Sequence, residues 1–269
     1  MTTDLYEAMR TCRAMRRLES REVPDEVVDE LIDLAIRAPS GGDAQNWSFV
    51  VVRDPAVKHQ LGVEVRRGTR WKTTVDEHIL RSEERAGRVG PEDAARRRRS
   101  RKAFAWLGRH LEDVPVLVCV CVEADTQTLG ASLSPDSIRS ALTEFGLWGT
   151  ARFLIAAPGI TTQALWASSY PAVQNLLLGA RGHGLGAVLT TPHFLGPPGR
   201  IERILGLPRG VRLAAVIPLG YPKGRFGPVR RSPPKVYADR YGRARTRAAV
   251  ATPPSPVPQP HNAGSPATP

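Results

Sequence analysis

The chain has 269 residues, 41% of them apolar, enough for one sizeable α/β core with an extension or for two small domains. Its formal net charge of +12 suits an anionic partner, whether nucleic acid, an acidic membrane surface or a phosphorylated cofactor or substrate, and does not choose among them. Three cysteines (Cys12, Cys119, Cys121) are too few for a disulfide framework, the amino terminus lacks a signal peptide's apolar stretch, and no apolar run approaches about eighteen residues; export and membrane insertion are disfavoured, and a cytoplasmic protein is expected.

Residues 5–15 fit a helix whose end is rich in arginine. The next helix starts at Pro24 with Asp25 and Glu26, carries Val27, Val28, Leu31, Ile32 and Ala35 at three-and-four spacing, and ends by Pro39. A PSGGD turn leads to a short β-favouring strand over 48–52. Residues 58–112 are polar and helix-prone, and a weakly packed helical region is expected there, with the run Arg96, Arg97, Arg98, Arg99, Arg101 and Lys102 ahead of Phe104, Trp106 and Leu107. PVLVCVCV at 115–122 is apolar on both faces and marks a strand inside a sheet.

Residues 125–162 mix Gly, Ser and Pro with apolar patches and fit no single element, so a lid or an ordered insertion is expected. An apolar helix over 170–181 ends at GHGLG, where glycine supplies the left-handed residue. Strands over 187–191 and 213–219 flank a short helix near 201–205. The last segment is proline-rich without apolar periodicity, which predicts a disordered tail over 246–269 behind a domain of residues 1–245, with 65–112 and 125–162 as lid or insertion segments.

Four distant segments place arginine, or glycine, serine and threonine backbone, at the edge of an apolar element: CRAMRR at 12–17, APSGGDAQNW at 38–47, AVLTTP at 187–192 and GPVRRSPP at 227–234. Arginine grips phosphate by paired, charge-assisted hydrogen bonds, and exposed loop amides suit a ring with several heteroatoms. With YPAVQNLLLGARGHGLG, LGLP and LGYP in the same order, these segments resemble the nitroreductase superfamily, including its flavin-dependent deiodinase branch.

The resemblance implies an α+β, nitroreductase-like fold: a mainly antiparallel central sheet flanked by helices, in a domain-entwined homodimer with FMN sites at the subunit interface. The helix over 170–181 is then expected in the dimer core. Position by position, Arg13, Ala14, Met15 and Arg16 fall on the first FMN motif, Pro39, Ser40 and Gly41 on the loop against the flavin ring, and Leu189, Thr190 and Thr191 on the segment past its reactive edge. Arg231 falls on the closing arginine that reaches the phosphate. The implied activity is an FMN-dependent oxidoreductase passing electrons from NADPH or NADH to a small flat acceptor, such as a nitroaromatic or quinone, by a ping-pong mechanism. Alternatives are a non-enzymatic flavin carrier or redox sensor and a deiodinase-like flavoenzyme. No catalytic acid or base, metal, nucleic acid or membrane partner is expected.

Several positions depart from the family pattern: Cys12 and Ala14 stand for arginine and serine, Asp43 for asparagine and Asn46 for proline. An ionised aspartate near a flavin disfavours its anionic reduced ring. Pro192 lacks an amide hydrogen, so a hydrogen bond to the flavin's N5 would come from Thr191 or elsewhere. Cys119 and Cys121 share one strand face with no histidine nearby in sequence and read as structural rather than metal-binding. His183 and His193 flank the glycine turn and the following strand and are considered for substrate or proton contact; Lys102 or a neighbouring arginine is considered for closing over an anionic substrate.

Overall fold

A computed structural model describes residues 3–123, 134–229 and 231–243. The chain divides into two units, 1–229 and 230–269. Unit 1 holds four strands among its described residues: β1 (Trp47–Val52), β2 (Val116–Glu123), β3 (Gly186–Ala187) and β4 (Val211–Gly220), in the order β1-β2-β4-β3 with every pair antiparallel. The helices are α1 (Leu5–Thr11), α2 (Asp25–Ala35), α3 (Pro55–Arg85), α4 (Pro91–Arg109), α5 (Pro135–Gly182) and α6 (Arg200–Ile204). The architecture is α+β, as expected.

Helices cover both faces of the sheet. On one, Val28 and Leu31 of α2 and Ala172, Val173 and Leu176 of α5 pack on Val116, Val118 and Val120 of β2 and on Ala215 and Ile217 of β4. On the other, Leu61 and Val65 of α3 and Leu107 of α4 pack on Leu117, Cys119 and Cys121 of β2 and on Leu213 and Val216 of β4. Leu213 and Ala215 face opposite ways although two apart, because a bulge where the register slips between Val120 and Cys121 gives β4 one extra residue. Both faces of β2 are buried, as its unbroken apolar run predicts.

Local chemistry sets the helix starts. The Asp54 carboxylate accepts from the amides of Ala56 and Val57 at 2.7 and 3.0 Å ahead of Pro55, and the Ser134 hydroxyl accepts from the Ser137 amide at 3.2 Å ahead of Pro135. Gly184 takes the left-handed φ of 70° that turns the chain from α5 into β3.

Three expectations change. Helix α1 stops at Thr11 instead of continuing to residue 15: Cys12 is extended, the Met15 amide donates to the Ala187 carbonyl at 3.1 Å, and Met15 and Leu18 enter the core, so packing overrides helix propensity. Weak packing over 58–112 is not found, because Leu61, Val65, Leu80 and Leu107 are fully buried. Most of the unassigned stretch belongs to α5, which breaks at Gly146 (φ 69°), while 124–133 lies outside the described residues. The helix expected at the dimer core has Ala172, Val173, Leu176 and Ala180 buried against its own sheet, while Tyr170 at its start and the larger exposed apolar side chains upstream in α5 stand outside that core. The expected tail over 246–269 is also outside the described residues.

In unit 2, residues 231–243 bring the rings of Tyr237 and Tyr241 to 4.6 Å, and Arg243 pairs with Asp239 at 3.2 Å.

Candidate functional site

The extended segment after α1 and the chain leaving β3 meet beside α3 and α4. Around them lies a cavity of about 300 Å³ lined by Arg16, Lys72, Phe104, Leu189, Thr190, Thr191 and Phe194, among others. Reciprocal backbone hydrogen bonds of 3.1 Å between Thr190 and Val216 tie the 188–191 segment to β4. Pro192 then opens a 3-10 turn (Pro192–Leu195) that presses against α3 at Gly68, where a Cβ would overlap the Pro192 carbonyl oxygen. The cavity's shape therefore depends on a helix–turn contact that only glycine permits.

Its polar groups are partly unspent. Arg16 is half-buried and has no ion-pair or hydrogen-bond partner among the described residues; its Nε is buried, and burial lowers the guanidinium's pKa. The Thr190 hydroxyl is likewise buried without a partner. Buried polar atoms are normally satisfied, so an unpaired donor and an unpaired hydroxyl on two residues that line one cavity fit a polar ligand nearby. The donor set, a guanidinium and threonine hydroxyls among apolar walls, is compatible with the ring edge and ribityl chain of a flavin.

A second cavity, of about 440 Å³ between α3 and α4, shares Arg16, Lys72 and Phe104 with the first. The arginine-rich face of α4 is largely matched here. Arg97 pairs with Glu83 at 2.6 Å, Arg98 holds Glu84 through both guanidinium nitrogens at 2.8 and 2.6 Å, and Arg101 pairs with Glu77. The Arg81 hydrogen bond, with Arg101 and Arg98 nearby, holds the Glu77 carboxyl below its ordinary pKa. Lys102 is exposed and is not among the residues lining either cavity.

Of the residues expected at the site, Arg16, Leu189, Thr190 and Thr191 come together. Arg13 and Ala14 are exposed on the same segment, and the Met15 side chain is in the core. Pro39, Ser40 and Gly41 do not line this cavity within one chain: the Gly41 amide donates to the Ser168 hydroxyl of α5 at 3.1 Å, and the Ser40 hydroxyl accepts from the Gln45 amide at 3.1 Å. Arg231 belongs to unit 2.

Sequence reasoning missed Lys72 and Phe194. Lys72 lies on a long charged helix where no spacing marks it, whereas Phe194, three residues past Thr191, was within reach of the motif. His183 caps α5 and pairs with Glu30 at 3.3 Å, away from the cavity. His193 lies in the 3-10 turn with Nε2 3.3 Å from the Leu213 carbonyl, and burial pushes its pKa down to about 4. Cys119 and Cys121 are buried in the core, where desolvation raises both thiols, Cys121 to about 12.

Residues 9–221 match the nitroreductase family. Iodotyrosine deiodinase 1 of Rattus norvegicus is 27% identical over 219 residues, 81% of this chain and 62% of that protein. An NADH dehydrogenase of Thermus thermophilus is 28% identical over 225 residues, 82% of this chain and 88% of that protein. The chain thus spans about three fifths of the length of the deiodinases it matches. A crystal structure of oxidised iodotyrosine deiodinase bound to FMN and 3-iodo-L-tyrosine superimposes with a TM-score of 0.53, at 24% identity, over 88% of this chain and 98% of that one. No helix among the described residues is long and apolar enough to cross a membrane.

Proposed function

The chain belongs to the nitroreductase family, and on that premise we propose that it is an FMN-dependent oxidoreductase that passes electrons from NADPH or NADH to a small flat acceptor such as a nitroaromatic or quinone. The observation that carries this reading is the convergence of Arg16 and Leu189–Thr191 on one cavity, with a buried guanidinium nitrogen of Arg16 and the buried Thr190 hydroxyl both unpaired among the described residues.

When bound, FMN supplies reversible two-electron storage, so donor and acceptor use the site in turn. The protein's part is placement. Arg16 offers a fixed positive charge and donors whose partial burial strengthens them, favouring electron-rich or anionic oxygen at the ring edge. Thr190 and Thr191, held by the pairing with Val216, present a hydroxyl and a backbone amide; Pro192 contributes no amide of its own. Leu107, Val188 and Leu189 exclude water, and Phe104 and Phe194 add aromatic walls suited to a flat acceptor.

The remaining assignments rest on the resemblance. Arg13 and Arg231 are proposed for the phosphate, and the backbone of Ala14 and Met15 for the flavin. Pro39, Ser40 and Gly41, which lie outside the cavity in one chain, are proposed to reach the ring across a homodimer interface. The exposed apolar side chains Phe145 (66%), Leu147 (73%), Trp148 (87%) and Ile155 (83%) support such a partner. Three free thiols fit a reducing, cytoplasmic compartment. A deiodinase-like reduction is the second reading, supported by the names of several relatives.

The purified protein is expected to show a flavin absorption band that bleaches on anaerobic addition of NADPH or NADH and returns with a nitroaromatic or quinone. A band that persists with both nicotinamides overturns turnover in favour of a flavin carrier or redox sensor. Arg16→Ala is expected to lower FMN retention at least about tenfold, the worth of one charge-assisted hydrogen bond, and Arg98→Ala far less; equal losses would remove Arg16 from the site.

A further inference from the structure

Arg181, in the last turn of α5, is only 8% exposed, and each of its three guanidinium nitrogens donates to a different residue of the amino-terminal segment. Nε donates to the Thr11 hydroxyl at 2.9 Å, one Nη to the Thr3 hydroxyl at 3.1 Å and the other to the Glu7 carboxylate at 3.3 Å. The same guanidinium lies over the Phe226 ring, 4.2 Å from its centroid. The Thr11 hydroxyl in turn donates to the Glu7 carbonyl at 2.7 Å, so its hydrogen and a lone pair are both committed. A planar fork of donors satisfied in this way has one geometry, and it fixes α1 and Phe226 relative to α5.

This joint stands one residue before Cys12, where the chain leaves α1 for the extended segment that carries Arg13 and Arg16. The far end of that segment is tied separately, by the Met15 amide to the Ala187 carbonyl at 3.1 Å and by the Lys223 amide to the Arg17 carbonyl at 3.0 Å. At the near end the Val229 amide donates to the Arg10 carbonyl at 3.3 Å, so residues 223–229 run beside the segment, with Phe226 under Arg181 between the two bonds. Arg13 is exposed and has no ion-pair partner among the described residues, whereas Arg181 does not line the flavin cavity.

We propose that Arg181 is a positioning residue for the cofactor's phosphate: without touching the cofactor, it sets where Arg13 stands. The assignment rests on the flavin reading above, in which Arg13 serves the phosphate. Paired hydrogen bonds between a guanidinium and a phosphate weaken steeply off line, so an α1 that frays at Thr11 takes Arg13 out of reach. Arg16 lies beyond the Met15 anchor, and recognition of the ring therefore does not depend on Arg181.

The test separates phosphate from ring. The full-length chain, freed of flavin, is titrated by fluorescence quenching with FMN and with riboflavin, which differ only in the phosphate. The wild type is expected to prefer FMN. Arg181→Met should reduce that preference at least about tenfold, the size of one charge-assisted hydrogen bond, while riboflavin affinity stays within about twofold. Thr11→Val keeps Arg181 and the side chain's shape but removes the accepting hydroxyl; it should reduce the preference about threefold or more, and Thr11→Ser should restore it. Should Arg181→Met fail to fold, the Thr11 variants decide alone. Glu7→Gln, at an exposed pair, is the control and should move the preference by less than about twofold.

Equal losses of FMN and riboflavin binding in the Arg181 and Thr11 variants would overturn the assignment, since Arg181 would then serve the fold and not the phosphate. A preference unchanged in Arg181→Met and Thr11→Val would overturn it as well. A wild type that binds both flavins equally would remove the phosphate grip and this assignment with it, while leaving the oxidoreductase reading in place. Binding of neither flavin would end both.

Discussion

Helix α5 carries two apolar regions that the structure treats in opposite ways. Downstream, Ala172, Val173, Leu176 and Ala180 are buried against β2, β4 and α2, and Ser169 above them is fully enclosed. Upstream, around the break at Gly146, Phe145, Leu147, Trp148 and Ile155 stand in solvent. Apolar content alone does not separate the two regions. What separates them is whether a complementary face exists in the same chain: the sheet offers one to the downstream region, and none of the described elements offers one upstream. An exposed patch of this kind fits the surface that the proposed homodimer would cover.

The largest effect that can sharpen this contrast is expected at Leu176, fully buried in the downstream region. Leu176→Ala should cost about 2–5 kcal/mol in denaturant unfolding, from lost transfer free energy and the cavity left behind. A cost below about 1 kcal/mol would mean that the downstream region is not part of the chain's own core. Next in size is Trp148, 87% exposed. Trp148→Ser should change the unfolding free energy of a monomer by no more than about 0.5 kcal/mol, yet weaken self-association by about 2 kcal/mol if the ring is an interface anchor. Sedimentation velocity across a concentration series separates these outcomes, and an unchanged dimer would place the interface elsewhere.

The same contrast explains what was legible in the sequence. Strand β2 could be read because burial on both faces demands an uninterrupted apolar run, the α2 start because Asp25 and Glu26 after Pro24 suit a helix's first turn, and the Gly184 turn because a left-handed φ is a local demand. Arg16 and Leu189–Thr191 were found through motifs although 173 residues separate Arg16 from Leu189, as a cavity built from backbone turns leaves a residue signature at each turn. Lys72 was not found, since its place at the cavity depends on how α3 crosses the 192–195 turn at Gly68, a contact no single segment encodes. The tight packing of α3 and α4 was hidden for a related reason: the charges that made the region look solvated pair across the two helices, Glu83 with Arg97 and Glu84 with Arg98. Residues 11–15 show the limit of propensity, because a sequence able to continue the helix is drawn out straight by the Met15 amide's bond to Ala187 and the burial of Leu18.

The smallest effect concerns the boundary between the two regions, where Trp166 stacks near Tyr170 at 6.1 Å and meets Phe194 edge-on at 5.8 Å, and Phe194 in turn lies 4.2 Å from the His193 ring. Burial holds His193 neutral and moves its pKa from 6.5 down to about 4, against the opposing pull of the Leu213 carbonyl and Glu202. An unfolded chain takes up this proton below pH 6.5 while the folded one resists until about pH 4, so the stability His193 contributes is present above 6.5 and is lost as pH falls through that window. The loss should be about 1.5 kcal/mol, less than the full shift implies because the ring retains some solvent contact. Unfolding free energies of the wild type and His193→Gln, measured from pH 7 to pH 4, isolate this contribution from the carboxylates that titrate lower. The wild type should fall more steeply than the variant. Parallel curves would mean that His193 protonates freely in the folded chain, that the turn opens to water, and that the aromatic boundary of α5 is looser than its packing implies.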